Sequence, residues 1–181
     1  MRIPFAAYAA DCTVSAELSL ETDRLADLLA SSESIDVDQA QLRALDDGRL
    51  IDIDSATLLL DDLCLVIATG PRGRADRRVW TRQVPARARV GPYEVSGYIH
   101  SAPTIDPFSS IVRRAIVALT SSVIEFERGG EAVREEVEVV LLNRRKIDVL
   151  EPVSASEVGR TDWPVAAIAV DPRAKDLTAG A

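Results

Sequence analysis

Between Ala115 and Pro152, apolar and polar residues alternate on either side of Gly129-Gly130. This is the pattern of a β-hairpin whose turn takes its positive φ from glycine. On the near arm Val123 and Glu125 take one face, Ile124 and Phe126 the other. On the far arm Val133, Val137, Val139 and Leu141 are interrupted by Arg134, Glu136 and Glu138. A second turn at Asn143-Arg144-Arg145-Lys146 leads into Ile147, Val149 and Leu150, a short strand stopped by Pro152.

The same periodicity runs through the rest of the chain. Cys12, Val14, Ala16, Leu18 and Leu20 fall on one face of an alternating stretch and Thr13, Ser15, Glu17 and Ser19 on the other, which predicts a half-buried antiparallel strand. Residues 2–10 read as an edge strand, because Pro4 is tolerated there. Thr22 is placed to cap a short helix with Asp23 in its first turn and Leu25, Leu28 and Leu29 at helical spacing. Ile35–Leu45 reads partly as strand and partly as helix, and only its match to the later hairpin favours strand. Asp46-Asp47-Gly48 makes a turn, with strands predicted over Arg49–Leu60 and Leu63–Ala68. Downstream, Ala86–Gly91 and Tyr93–Ser101 form a hairpin bent at Gly91-Pro92. Asp106 caps a second short helix with Pro107 at its first position and Phe108, Ile111 and Val112 as the buried stripe.

The two halves echo each other. Val14-Ser15-Ala16 returns as Val95-Ser96-Gly97, Asp47-Gly48 as Arg128-Gly129, and Leu58–Asp62 as Val140–Arg144, at nearly constant spacing. Such anchors predict two copies of one unit of about 65 residues. The expected fold class is α+β, mainly antiparallel β, as two duplicated small barrel-like or sandwich-like units, each with one short helix. The expected boundaries are a first repeat over 1–70, an arginine-rich connector over 71–85, a second repeat over 86–153, and a tail over 154–181. In the tail Trp163, Val165, Ile168 and Val170 hint at one more docked strand before a frayed end.

The run from Tyr93 to Pro152, with Leu119-Thr120 inside an apolar stretch and Leu141-Leu142-Asn143 leading to Ile147, resembles a family of small bacterial β-rich domains of unknown function. The first copy lacks Leu-Thr and Asn at the matching places. The resemblance implies a tandem pair of β-rich domains and no known activity.

With 181 residues and 47% hydrophobic side chains the chain can bury a core, and with 4% aromatics that core is aliphatic. No apolar run approaches the ~18 residues that cross a bilayer as a helix. Pro4 and the absence of a leucine-rich stretch argue against a signal peptide, so the chain is expected in the cytoplasm, with Cys12 and Cys64 as free thiols. The net charge of −8 is uneven: residues 1–70 carry 4 basic and 14 acidic side chains, residues 71–89 carry 7 arginines and one Asp.

Candidate chemistry is sparse. His100 is the single histidine, and a Ser101-His100-Asp106 triad would need a geometry that spacing does not supply. One His and two distant Cys offer no zinc pattern, and Asp52 and Asp54 lack the glycine-turned loop of a Ca²⁺ site. Nucleotide-cradling glycine motifs are absent, and no cofactor, metal or catalytic residue is expected. The arginine-rich connector is the one anion-binding candidate, through Arg74, Arg77, Arg78 and Arg82 beside Trp80. Arg74 and Arg78 share the Arg-Xaa3-Arg spacing of PilZ-type cyclic-dinucleotide receptors, whose downstream Asp/Asn-Xaa-Ser-Xaa-Xaa-Gly is here Glu94-Val95-Ser96-Gly97-Tyr98-Ile99. Nucleic acid is disfavoured by the acidic remainder of the chain. These readings predict a non-enzymatic cytoplasmic module for protein–protein interaction or assembly, through a protein partner or self-association and with no membrane partner. The alternative is a binding module for a phosphorylated small molecule or nucleotide at the connector.

Overall fold

A computed structural model of the chain describes residues 1–22, 24–71 and 80–160. Its ten strands are β1 (Arg2–Ala9), β2 (Cys12–Ser19), β3 (Ser34–Ala44), β4 (Leu50–Leu59), β5 (Leu63–Ile67), β6 (Arg82–Val90), β7 (Tyr93–Ser101), β8 (Ile116–Arg128), β9 (Glu131–Asn143) and β10 (Ile147–Pro152). Helix α1 (Leu25–Ser31) follows β2, and α2 (Pro107–Ile111) follows β7. A 3-10 turn precedes β5 (Leu60–Asp62) and another precedes β10 (Arg144–Lys146). Mainly antiparallel β structure with two helices is therefore as the alternation predicts.

All ten strands lie in one sheet, in the order β10-β6-β7-β8-β9-β5-β1-β2-β3-β4, and every pairing is antiparallel. The sheet is open, with β10 and β4 at its ends. The sheet is thus not a closed barrel, which corrects the barrel-like expectation. Alternation dictates which face of a strand is buried, but whether the first and last strands meet depends on accumulated twist, which no single strand encodes.

The residues at the junction of the two halves explain why the chain has two cores. Leu65 faces Leu142, Val66 faces Leu141 and Ile67 faces Val140 across β5 and β9. Successive pairs point to opposite faces of the sheet. Leu65, Leu142 and Val140 join one core with Tyr93, Val95, Ile99 and Ile124 of the second half. Val66 and Leu141 join the other, with Phe5, Val14, Leu18 and Val37 of the first half. The junction strands are thus apolar on both faces, which reads in the sequence as Leu63–Ile67 and Val139–Leu142.

β1 is an interior strand between β5 and β2, not the edge that Pro4 suggested. Pro4 pairs with Glu17 of β2, while the pairing with β5 begins only at Ala6. The Pro4 carbonyl accepts a hydrogen bond from the Thr69 hydroxyl, so the missing N–H points past the end of β5 and no ladder bond is lost. Pro85 repeats this in β6: it pairs with Tyr98, and its carbonyl accepts from the Val153 N–H at 3.2 Å.

Helix α1 starts after Arg24 with no side-chain cap, and the Thr22 hydroxyl donates to the Arg24 carbonyl at 2.9 Å, correcting the predicted Thr22 cap. Leu25 and Leu29 are its buried residues. At α2, Asp106 accepts from the Ser109 N–H at 2.8 Å and Pro107 stands in the first turn, as predicted. Ile111 is buried and Phe108 half-covered, but Val112 is exposed: its backbone is still helical, which carries its side chain about 100° round the axis from Ile111 and off the buried side.

The two halves share more than element order. The described non-glycine residues with positive φ are Gln39 in β3 and Ser121 in β8, at +50° and +48°. Each sits opposite a shift of register in the preceding strand, between Ser15 and Glu17 of β2 and between Ser96 and Tyr98 of β7. Such bulges bend a sheet. Among the described residues no helix is long and apolar enough to cross a membrane.

Candidate functional site

Of the connector arginines, Arg82 opens β6 and is exposed, its guanidinium donating to the Ile105 carbonyl at 3.3 Å. Arg74, Arg77 and Arg78 lie outside the described residues. Trp80, two residues before Arg82, is 75% exposed. Further along β6, Arg87 is largely buried, its Nε 3.2 Å from Glu94 Oε1. Burial raises the Glu94 carboxyl above its ordinary range, opposed by the Arg87 charge beside it.

His100 is held in a chain of hydroxyls. Its Nδ1 lies 3.0 Å from the Thr81 hydroxyl and its Nε2 2.8 Å from the Thr120 hydroxyl. Ser101, on the opposite face of β7, donates to the Ile105 carbonyl at 2.9 Å, and Asp106 is engaged as the α2 cap. The three residues do not converge, and both ring nitrogens of His100 are occupied. Among the described residues no group of three or more His, Cys, Asp and Glu side chains is arranged to hold a metal ion.

The cysteines are unpaired. Burial and then Asp11 push the Cys12 thiol up to about 11, and burial also raises that of buried Cys64. A thiol reacts through its thiolate. Iodoacetamide at pH 8 is therefore expected to label Cys12 about a hundredfold more slowly in the native chain than in urea, with Cys64 slower still; equal rates in the two states would contradict this placement.

The junction is fixed by polar contacts that composition did not reveal. Asn143 donates from Nδ2 to the Leu60 and Leu63 carbonyls, at 3.1 and 3.0 Å, and accepts from the Arg145 N–H at 3.0 Å. Arg145 reaches Asp61 at 2.9 Å, so the two 3-10 turns meet across the junction. Tyr93 donates to the Ala9 carbonyl at 2.5 Å, and Tyr8 to Glu135. Tyr8, Tyr93 and Phe126 pack edge to face, with centroids 5.3 to 5.9 Å apart. Burial, with the Glu135 bond, raises the Tyr8 phenol, so it stays a neutral donor.

The surface feature that stands out is the pair of open edges. β4 and β10 each pair on one side only among the described strands. Of the nine exposed large hydrophobic residues among those described, five lie on them: Leu50, Ile51, Ile53 and Leu59 on β4, and Val149 on β10. Ile51 and Ile53 face Leu42 and Ala40 of β3, so they stand at the rim of the first core rather than on the outer face. Edge strands of isolated proteins are commonly blunted by charge, Pro or cover. On β4, Asp52 and Asp54 alternate with the isoleucines and leave that apolar rim bare. The sequence carried this signal as the alternation through Leu50, Ile51 and Ile53, but gave no strand order, so β4 could not be told from an interior strand.

The fold defines an open, ten-stranded antiparallel sheet with a core on each face. No protein-family model, no curated protein and no solved structure matches the chain to a significant degree.

Proposed function

We propose that the chain is a non-enzymatic cytoplasmic module for protein–protein interaction or assembly, built as two copies of one five-stranded unit. The observation that carries this is the pair of open sheet edges with apolar rims, the largest concentration of exposed apolar side chains among the described residues. Strand addition at such an edge supplies main-chain hydrogen bonds, and alternate side chains supply specificity. The tandem-copy reading is supported by the recurrence of element order, of the positive-φ residues Gln39 and Ser121, and of the paired prolines Pro4 and Pro85. A reducing compartment is supported by the two free thiols.

The test is absolute mass by light scattering after gel filtration, at low and at high salt. A mass above one chain that persists in high salt is expected, because apolar and main-chain contacts are little screened. A single chain at both salts would sink self-assembly as the function. Binding of a phosphorylated small molecule at Arg74, Arg77, Arg78 and Arg82 ranks second, supported among the described residues by Arg82 and exposed Trp80.

A further inference from the structure

The register of the chain's own junction identifies a partner for the open edges. We propose that β10 of one protomer pairs antiparallel with β4 of a second copy of this chain, head to tail, in the register that β5 and β9 use within the chain. The proposal rests on the assembly reading above and names its partner.

The argument is one of position. β10 lies on β6 as β5 lies on β1. Leu65 faces Tyr8, Val66 faces Ala7 and Ile67 faces Ala6; correspondingly Val149 faces Arg89, Leu150 faces Ala88 and Glu151 faces Arg87. The shift in register is shared too, falling at Cys64 in β5 and at Asp148 in β10. β4 lies on β3 as β9 lies on β8, and each runs directly into a 3-10 turn, β4 after Leu59 and β9 after Asn143. So β10 is the counterpart of β5, and β4 the counterpart of β9. Within the chain β5 and β9 are paired, while β10 and β4 are not. Carrying the junction register to the free edges sets Val149 opposite Leu58, Leu150 opposite Thr57 and Glu151 opposite Ala56.

The side chains agree with this placement. At the junction Leu65 turns away from its own half and completes the core beside Leu142. Val149, its counterpart, has no such core in its own chain and is 44% exposed. Leu58, the counterpart of Leu142, packs on the first core beside exposed Leu59, at the end of β4 that runs into its 3-10 turn. A second copy would lay Val149 over Leu58, as Leu65 lies over Leu142 at the junction. Leu150, like Val66, packs towards the core of its own half.

Charge favours the same arrangement. The turn leading into β10 carries Arg144, Arg145 and Lys146, and the turn leaving β4 carries Asp61 and Asp62. Arg145 and Asp61 already hold each other inside the chain, so the contact between copies would draw on Arg144, Lys146 and Asp62. Pairing β4 with another β4 would instead set the Asp52 and Asp54 rows of two protomers against each other, which like-charge repulsion opposes. A contact between two different edges leaves one of each free, so it propagates into a ring or a filament.

The experiment uses the full chain and two variants at exposed positions, Val149→Lys on β10 and Thr57→Lys on β4, with mass read by light scattering over a range of concentration. The wild-type chain is expected to give species of several chains, and each variant alone a single chain. An equimolar mixture of the two variants is expected to give pairs and nothing larger, because each contributes one intact edge. Recovery of pairs also shows that both variants are folded. A wild-type assembly that survives either substitution overturns the pairing while leaving the assembly reading in place. A mixture that stays single overturns the head-to-tail arrangement. A wild-type chain that is single at every concentration overturns pairing and self-assembly together, and leaves the edges to another occupant such as residues 161–181.

Discussion

Leu142→Ala is expected to cost about 3 to 4 kcal/mol of unfolding free energy, and to lower the melting of the whole chain rather than of one half. Leu142 is fully buried, faces Leu65 across the junction and packs in the second-half core. Removing its side-chain carbons loses their transfer free energy and leaves a cavity between two strands held in register on both sides, so the site cannot collapse. Its neighbour Leu141 is buried in the other core, on the opposite face of the same strand. Loosening β9 therefore weakens both cores. One calorimetric transition is expected for the wild-type chain, moved down as a unit by Leu142→Ala and by Leu141→Ala alike. Two resolved transitions, with Leu142→Ala shifting only one, would contradict the shared junction.

Gly97→Ala is expected to destabilise the chain by about 2 kcal/mol, and Ser122→Ala to recover a large part of that loss. Gly97 sits in the β7 register shift, where an added Cβ would stand 2.5 Å from the Ser122 hydroxyl oxygen and 3.0 Å from the Thr120 carbonyl oxygen. The backbone is not left-handed there, so the need for glycine is one of space. Ser122 is 1% exposed, and its hydroxyl has no hydrogen-bond partner among the described residues. Ser122→Ala alone is therefore expected to be neutral or stabilising, since it removes a desolvated hydroxyl. The first half shows the combination in place, with Ala16 in the β2 register shift and Ala40 across from it in β3. A double-mutant cycle by urea denaturation measures the coupling, and a double variant as unstable as Gly97→Ala would mean that the Thr120 carbonyl, not Ser122, sets the limit.

The match Val14-Ser15-Ala16 to Val95-Ser96-Gly97 falls on the two bulges, which is why it is visible in sequence: the bend restricts which side chains fit on the facing strand. The match of Leu58–Asp62 to Val140–Arg144 is displaced from the positions at which the 3-10 turns begin, Leu60 and Arg144. β9 is longer than β4, so the two hairpins run out of step between their turns and their ends. The asparagine of that match, Asn143, stood out only as a residue type, and its role in joining Leu60 and Leu63 to β9 needed the strands side by side.

The sequence by itself determined what is local: the alternation that makes every strand but β3, which alternation left between strand and helix, the Asp106-Pro107 start of α2, the turns at Gly129-Gly130 and Gly91, and the aliphatic content of the core. These follow from backbone sterics and from the period with which side chains alternate, and both act over a few residues. The tertiary structure alone decided strand order, the interior place of β1, the openness of the sheet, and the bare apolar side chains left on the edge strands β4 and β10. Those depend on which distant strands meet and on twist summed across the sheet. A strand with one apolar face looks the same in sequence whether its edge is paired or free.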